Sequence, residues 1–448
     1  MTSAPPSRTP TRVVGTYLAI SGLFTLAASV IWGVNTLFLL DAGLDIFEVF
    51  VVNAAYTAGM VLFEIPTGVV ADTSGRRRSF LLSVAVLALG TVLYVSIAAS
   101  GGGLIAFVLA SVVLGLGFSF YSGAVEAWLV DALGASGYDG PLDPVFARGS
   151  IVSGAAMVLG SVGGGLLGSV DLAWPFLVRA ALLAVVFAVG VARMHDIGFT
   201  PRTTSFAELP IEMRKVLDAS WRLGWRTRSI RLLMIVSALQ GVFMMWGWYA
   251  WPPYLLELLG RDATWVAGVV SALVALAMIA GNGLVDYIAN FCGRRTTLLL
   301  WSGAVVAGAV VGLGLAGSFW PALVLLLLAM GATGVGTPVQ QAYLHGVVPS
   351  TERATVVSAS SLVGSVGGIG GQLGLGYLSQ ARSLAVGYVA GGLVLLLALP
   401  PLMVLRRMHE RADVIVGRRA GMVGPCAGQG LPPVSTVDAI PRQPEPVP

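Results

Sequence analysis

Lysine is almost absent from this sequence, and other charge is scarce. Of 448 residues, 11% are Asp, Glu, Lys or Arg, and Lys215 is the only lysine. A phosphate-cradling G-x-x-x-x-G-K-[ST] loop needs a lysine after its second glycine. Lys215 stands instead in "IEMRKVL", and no polar stretch is long enough for a nucleotide fold. Two cysteines, Cys292 and Cys426, are too few and too far apart for a disulfide framework. Three histidines, His195, His345 and His409, are scattered without metal-ligand spacing. No metal and no cofactor is therefore expected. A strand-period pattern of alternating ten-residue segments is missing too, which argues against a membrane β-barrel.

Hydrophobic residues make up 56% of the chain, and its mean hydropathy is +0.85. The apolar content comes in runs of about twenty residues or more, which match a ~30 Å hydrocarbon layer. Lipid offers the backbone no hydrogen-bond partners, so such runs cross as helices. Breaks at charge, Pro and Gly divide the chain into twelve spans. The first six are 15–40, 46–71, 78–99, 103–133, 149–169 and 173–194. The second six are 230–258, 264–288, 295–317, 319–347, 354–379 and 384–406. The first apolar run has no small-residue cleavage site, so it reads as a retained helix. The expected organisation is an N-terminal segment 1–14, a bundle 15–194, a linker 195–229, a bundle 230–408 and a disordered Pro-rich tail 409–448. Pro210 opens a mixed apolar and basic stretch in the linker, read as an amphipathic helix lying on an anionic leaflet.

Basic residues orient the spans. All 26 except Arg261, Arg382 and Arg179 fall on the side of both chain ends, which makes that side cytoplasmic. The same excess accounts for the net charge of +4, and nucleic acid is not an expected partner. The lipid bilayer of the cell membrane is the expected environment, with the protein a monomer in it.

The two halves resemble each other. "RGSIVSGAAMVLGSVGGGLLG" (148–168) aligns with "RATVVSASSLVGSVGGIGGQLG" (353–374), matching Arg148 to Arg353 and Ser153 to Ser358. "WGVNTLFLLDAGLD" (32–45) shares its Trp-Gly start and Leu-Leu-acid step with "WGWYAWPPYLLELLGRD" (246–262). "GRR" at 75–77 recurs at 293–295. All three matches are six spans apart, the mark of a parallel six-plus-six duplication. The fold class is thus all-α: twelve membrane helices in two pseudo-symmetric six-helix bundles.

With the loop Gly68, Asp72, Gly75, Arg76 and Arg77, of the form G-x-x-x-D-x-x-G-R-R, the chain resembles the major facilitator superfamily over residues 15–406. "EIPTGVVAD", "FYSGAVEAWLVD" and "PSTERAT" are similar to a bacterial drug-efflux-like branch. The resemblance implies two bundles rocking about a central site. It also implies that Asp72, Arg76, Arg77 and Asp131 form a cytoplasmic latch that pairs near Arg353 at the start of span 11. The second copy departs from the motif, because Asp286 lies seven residues before Gly293. Arg78 reads as topogenic.

Ionisable groups inside spans are functional candidates by cost alone. Glu64, about 12 Å up its helix from Asp72, and Glu126, about 7.5 Å from Asp131, are candidates for proton coupling. Fixed paired charges are the other reading. Arg179 is a candidate substrate contact; the other readings are that it snorkels outward or pairs with a carboxylate. Trp246, the deepest of the "MMWGWYAWPPY" aromatics, is a cavity candidate or part of an interfacial belt, and Pro252 and Pro253 should break or kink that helix. Gly160, Gly164 and Gly168 form a one-face packing stripe. In the family a Gly-rich motif there marks exporters, although its usual Gly-Pro step is missing here.

The expected function is alternating-access export of a small hydrophobic or amphiphilic compound, driven by protons and without enzymatic chemistry. Uptake of a small metabolite is one alternative. A non-transporting receptor or assembly subunit of transporter ancestry is the other.

Overall fold

The computed structural model describes residues 9–201, 227–261, 263–349 and 352–415. In the first half, α1 (Pro10–Ser29), α2 (Asn35–Asp41), α3 (Ile46–Ser74), α4 (Arg76–Ala99), α5 (Leu104–Tyr121), α6 (Ala124–Ala135), α7 (Asp143–Gly168) and α8 (Trp174–Arg193) follow in order. In the second half, α9 (Arg228–Leu259), α10 (Thr264–Cys292), α11 (Arg295–Leu315), α12 (Phe319–Val347), α13 (Arg353–Ala381), α14 (Leu384–Leu396) and α15 (Leu399–Arg407) complete the set. Among the described residues twelve helical segments are long and apolar enough to cross a membrane.

Three crossings are made of two helices each, and the breaks have local causes. Between α1 and α2 the chain turns at residues 30–34, where Gly33 lets the Ala267 carbonyl oxygen approach from the other half. Between α5 and α6 Gly123 takes a φ of +72°, a conformation costly for any residue with a Cβ. Pro400 and Pro401 sit at the start of α15, where their missing donors cost little. Pro252 and Pro253 correct an expectation. They do not break the seventh crossing, because α9 runs through both to Leu259. The start of α3 is held by a capping box: the Glu48 amide donates to Asp45 and the Asp45 amide to Glu48.

Each half is built on a close pair of helices. Gly160 and Gly164 of α7 lie against α1, where a Cβ would overlap Ser29 and the Val30 carbonyl oxygen. Gly168 meets Val34 and, from the second half, Thr264. In the second half Gly367 and Gly371 of α13 lie against Ala238 and Val242 of α9 in the same way. Small residues allow such approach where lipid gives no hydrophobic drive. Aromatic and aliphatic clusters fill the space around each pair, centred on Phe24, Phe80 and Trp128 in one half and on Phe243, Trp246 and Tyr388 in the other.

The halves touch along one side. Calling the side of the Gly75 and Gly293 turns the loop side, contact is on the far side. Trp32 and Trp248 meet edge to face at 5.6 Å. Phe50 and Trp246 lie 5.8 Å apart. Thr36 donates to the Tyr249 carbonyl at 2.8 Å. Ser271 donates to Ser161 at 3.3 Å, beside the backbone approach of Gly165 to Gly268. Toward the loop side a cavity of about 670 Å³ opens, lined by α3 residues including Glu64 and Asp72 and, from α13, by Ser358 and Leu362.

The expected disordered tail begins too early at 409. Residues 411–413 form a short 3₁₀ turn tied to the start of α11, and Val414 bridges to Arg294. The expected N-terminal segment also ends sooner, since α1 starts at Pro10. Most of the expected amphipathic linker helix lies outside the described residues, as does the tail beyond 415.

The far-side seam makes a test of the two-body arrangement. A Cβ on Gly268 would stand 2.5 Å from the Ser161 carbonyl oxygen and 2.6 Å from the Gly165 Cα. Overpacking of this kind costs ~1–3 kcal/mol, or about 5- to 150-fold in a two-state population. Gly268→Val should therefore part the far side and narrow the loop side. Spin labels on the loop-side ends of α3 and α13 should report a shorter distance than in wild type.

Candidate functional site

The loop-side cluster is assembled at the turn between α3 and α4. Gly75 has a φ of +102°, and the Asp196 carboxylate fills the place a Cβ would take. The turn lets Arg76 fold back on Asp72 of the preceding helix, with Nη1 2.8 Å from Oδ1. Arg76 Nε is 4.0 Å from Asp131, is itself buried and makes no hydrogen bond. Arg77 faces elsewhere: its amide donates to Asp196 at 2.8 Å and its Nη2 to the Val191 carbonyl at 3.0 Å. Asp72, Arg76 and Asp131 thus meet, with Gly68 on the cavity wall beside them. Arg353 is not with them. It is exposed, and its Nε donates to the Val348 carbonyl of its own half at 3.3 Å.

Asp196 is a member that sequence reasoning missed. It reaches back from the end of the sixth crossing to cap the second residue of α4. Trp128 Nε1 steadies the segment by donating to the His195 carbonyl at 2.7 Å. The second half repeats the device. Asp413 is buried and accepts from the amide of Thr296, second residue of α11, at 2.7 Å, and from its hydroxyl at 2.9 Å. Orphan amides at a helix start favour such a carboxylate. A signal was present: "RMHD" at 193–196 recurs as "RMHE" at 407–410, again six crossings apart. The acid of the second copy does other work, as Glu410 accepts from Ser229 at 2.7 Å.

The two membrane carboxylates are placed differently from a buried pair. Glu64 is exposed on the wall of the loop-side cavity. Glu126 is exposed in the first turn of α6, within electrostatic reach of Tyr17 and Tyr121.

A second cavity, about 100 Å³, lies under the far-side seam. Arg179 of α8 is its one charged lining residue, among Asn35, Asn53, Tyr56, Tyr94 and, from the other half, Trp248 and Tyr249. Asn35 donates to Asn53 at 3.2 Å, and the Tyr94 and Ser111 hydroxyls are 2.7 Å apart. Trp246 does not join them. It is fully buried against Phe50, Phe243 and Tyr388, and Trp248 takes the cavity position.

Burial pushes the Asp196 carboxyl above the usual carboxylate range, against the Arg77 amide and the charges of Arg77, Arg78 and Arg76. A raised folded-state pKa means the acid form is favoured on folding. This group's contribution is present below the ordinary carboxylate pKa and is lost as pH rises through the raised value. Asp196→Asn keeps an acceptor and removes the ionisation, so the fall in melting temperature as pH rises above the ordinary carboxylate range should flatten. Asp196→Ala loses the cap and should cost ~1 kcal/mol at any pH.

The family model described as Major Facilitator Superfamily matches residues 17–290 and 248–435. The class G tetracycline resistance protein of Vibrio anguillarum is 25% identical over 367 residues, which are 80% of this chain and 88% of that one. The solved nucleoside transporter NupG aligns with a TM-score of 0.73 at 12% identity, over 88% of this chain and 99% of its own. A bacterial homolog of the human lysosomal transporter Spinster, inward-facing and unoccupied, aligns at 0.70 and 15% identity over 93% of this chain and 100% of its own.

Proposed function

Because the chain belongs to the Major Facilitator Superfamily, we propose that it is a secondary active transporter that exports a small hydrophobic or amphiphilic compound in exchange for protons. One observation carries this reading: the halves are seamed on the far side and parted around a cavity on the loop side. Two rigid bodies in contact on one side only form one end state of a rocking cycle. We assign the loop side to the cytoplasm, from the basic-residue excess, and the protein to the cell membrane as a monomer with both termini inside.

In the opposite state, α13 and its start at Arg353 swing toward Asp72, Arg76 and Asp131. The N-terminal dipole of α13 then faces the two aspartates. Each contact need supply only about 1 kcal/mol, since a switch needs states a few kcal/mol apart. The tetracycline-resistance relative supports a drug-like cargo and the outward direction. Glu64 stands open to the loop-side cavity, where a returning proton would be released, and Glu126 is exposed at the start of α6. One proton crossing ~100 mV yields about 2.3 kcal/mol, enough for a ten- to hundredfold cargo gradient.

Expression in an efflux-deficient host should lower drug accumulation about tenfold for at least one amphiphilic compound, and a protonophore should restore it. Unchanged accumulation across a broad panel would refute export. Glu126→Gln and Glu64→Gln, tested singly, should identify the carrier as the variant whose uphill transport and pH dependence both disappear. Asp72→Asn should slow turnover severalfold at unchanged membrane level, read from initial rates in proteoliposomes.

A further inference from the structure

Resting on the transport reading, we propose that the cargo is an organic anion whose carboxylate seats on Arg179 in the cavity beneath the far-side seam. Arg179 carries a permanent charge, yet among the described residues no Asp, Glu or other charged side chain lines this cavity with it. Among the described residues it makes no ion pair and no hydrogen bond, and its Nε is sealed from solvent. A guanidinium left this way inside a membrane protein is costly unless something supplies the missing charge.

The rest of the lining completes an anion site. The Tyr56 and Tyr249 side chains lie close enough to Arg179 to interact electrostatically. Neither hydroxyl is engaged by another described group, so both remain available as donors. A permanent cation with two phenolic hydroxyls beside it that can donate favours a ligand of negative charge. The size defines how much of it enters. About 100 Å³ is small beside the ~300–1,000 Å³ of a site that encloses a drug-sized ligand, so it takes a head group rather than a whole drug-like molecule. Trp32 and Trp248, which meet at the cavity wall, offer flat apolar surface to the remainder. The guanidinium fork suits the planar, two-oxygen carboxylate better than a spherical ion.

The test compares aromatic carboxylates with their primary amides of the same shape, binding to the full chain in lipid nanodiscs, followed by tryptophan fluorescence at a pH where the acids are ionised. Wild type should prefer the acid about ten- to a hundredfold. Arg179→Gln should abolish the preference, and Arg179→Lys should keep part of it. Tyr56→Phe and Tyr249→Phe should each weaken acid binding by about two- to tenfold, and they stand in for Arg179→Gln if that variant does not fold. The preferred acid should then cross proteoliposome membranes. Equal binding of acid and amide by wild type, or a preference that survives Arg179→Gln, overturns the assignment. Chloride competing as well as carboxylates also overturns it. Pumping of uncharged compounds alongside equal acid and amide binding would leave export standing without the anion. Arg179-dependent binding with no compound moved would instead remove the transport reading and keep the anion site.

Discussion

The whole arrangement depends on how closely two helix backbones can come together without side chains between them. Within the first half, Gly160 and Gly164 bring α7 onto α1 at the Val30 carbonyl. Within the second, Gly367 and Gly371 bring α13 onto α9 at Ala238 and Val242. Inside lipid such contacts gain dispersion energy that larger residues would forfeit, so each half packs as a unit. The seam between halves lies one residue around the same helix. Gly165, next to Gly164, meets Gly268 of the other half. One helix therefore carries its own half's contact on one face and the contact with the other half on the next.

The same economy appears at the loop side. A single glycine turn places Arg76 between two aspartates and turns Arg77 away to the Asp196 segment. Arg76 and Arg77 are adjacent in sequence but serve different structures, one facing the mouth between the bodies and the other fastening the end of the first body to its own fourth helix. The second half keeps the fastening, through Asp413 and Thr296, but lacks the paired mouth cluster because Asp286 sits too far from its turn. The duplication has thus diverged at the mouth while keeping its buckle.

The twelve crossings and their two-bundle grouping were legible because hydropathy accumulates along the chain, whatever the neighbours do. Arg179 was legible as a lone charge in an apolar run. Its company was not, since Asn35, Tyr56, Tyr94 and Tyr249 come from four other helices, and one sequence carries no register between them. Trp246 and Trp248 are two residues apart on one helix and face nearly opposite ways, so picking the deeper one picked the core. The continuity of α9 through Pro252 and Pro253 was hidden for a related reason. Propensity argues for a break there, and tertiary packing of Trp251, Tyr254 and Leu255 overrides it. The reach of Asp413 was masked by its position in a tail whose composition reads as disorder.

The Arg179 chamber draws its walls from both bodies, most of them from the first and the Trp248–Tyr249 step from the second. On the proposed transport reading, parting the bodies on that face would take away the second body's share of the wall at the moment an exit forms. Capture and discharge would then be the same displacement seen from opposite ends, with no separate ejecting part.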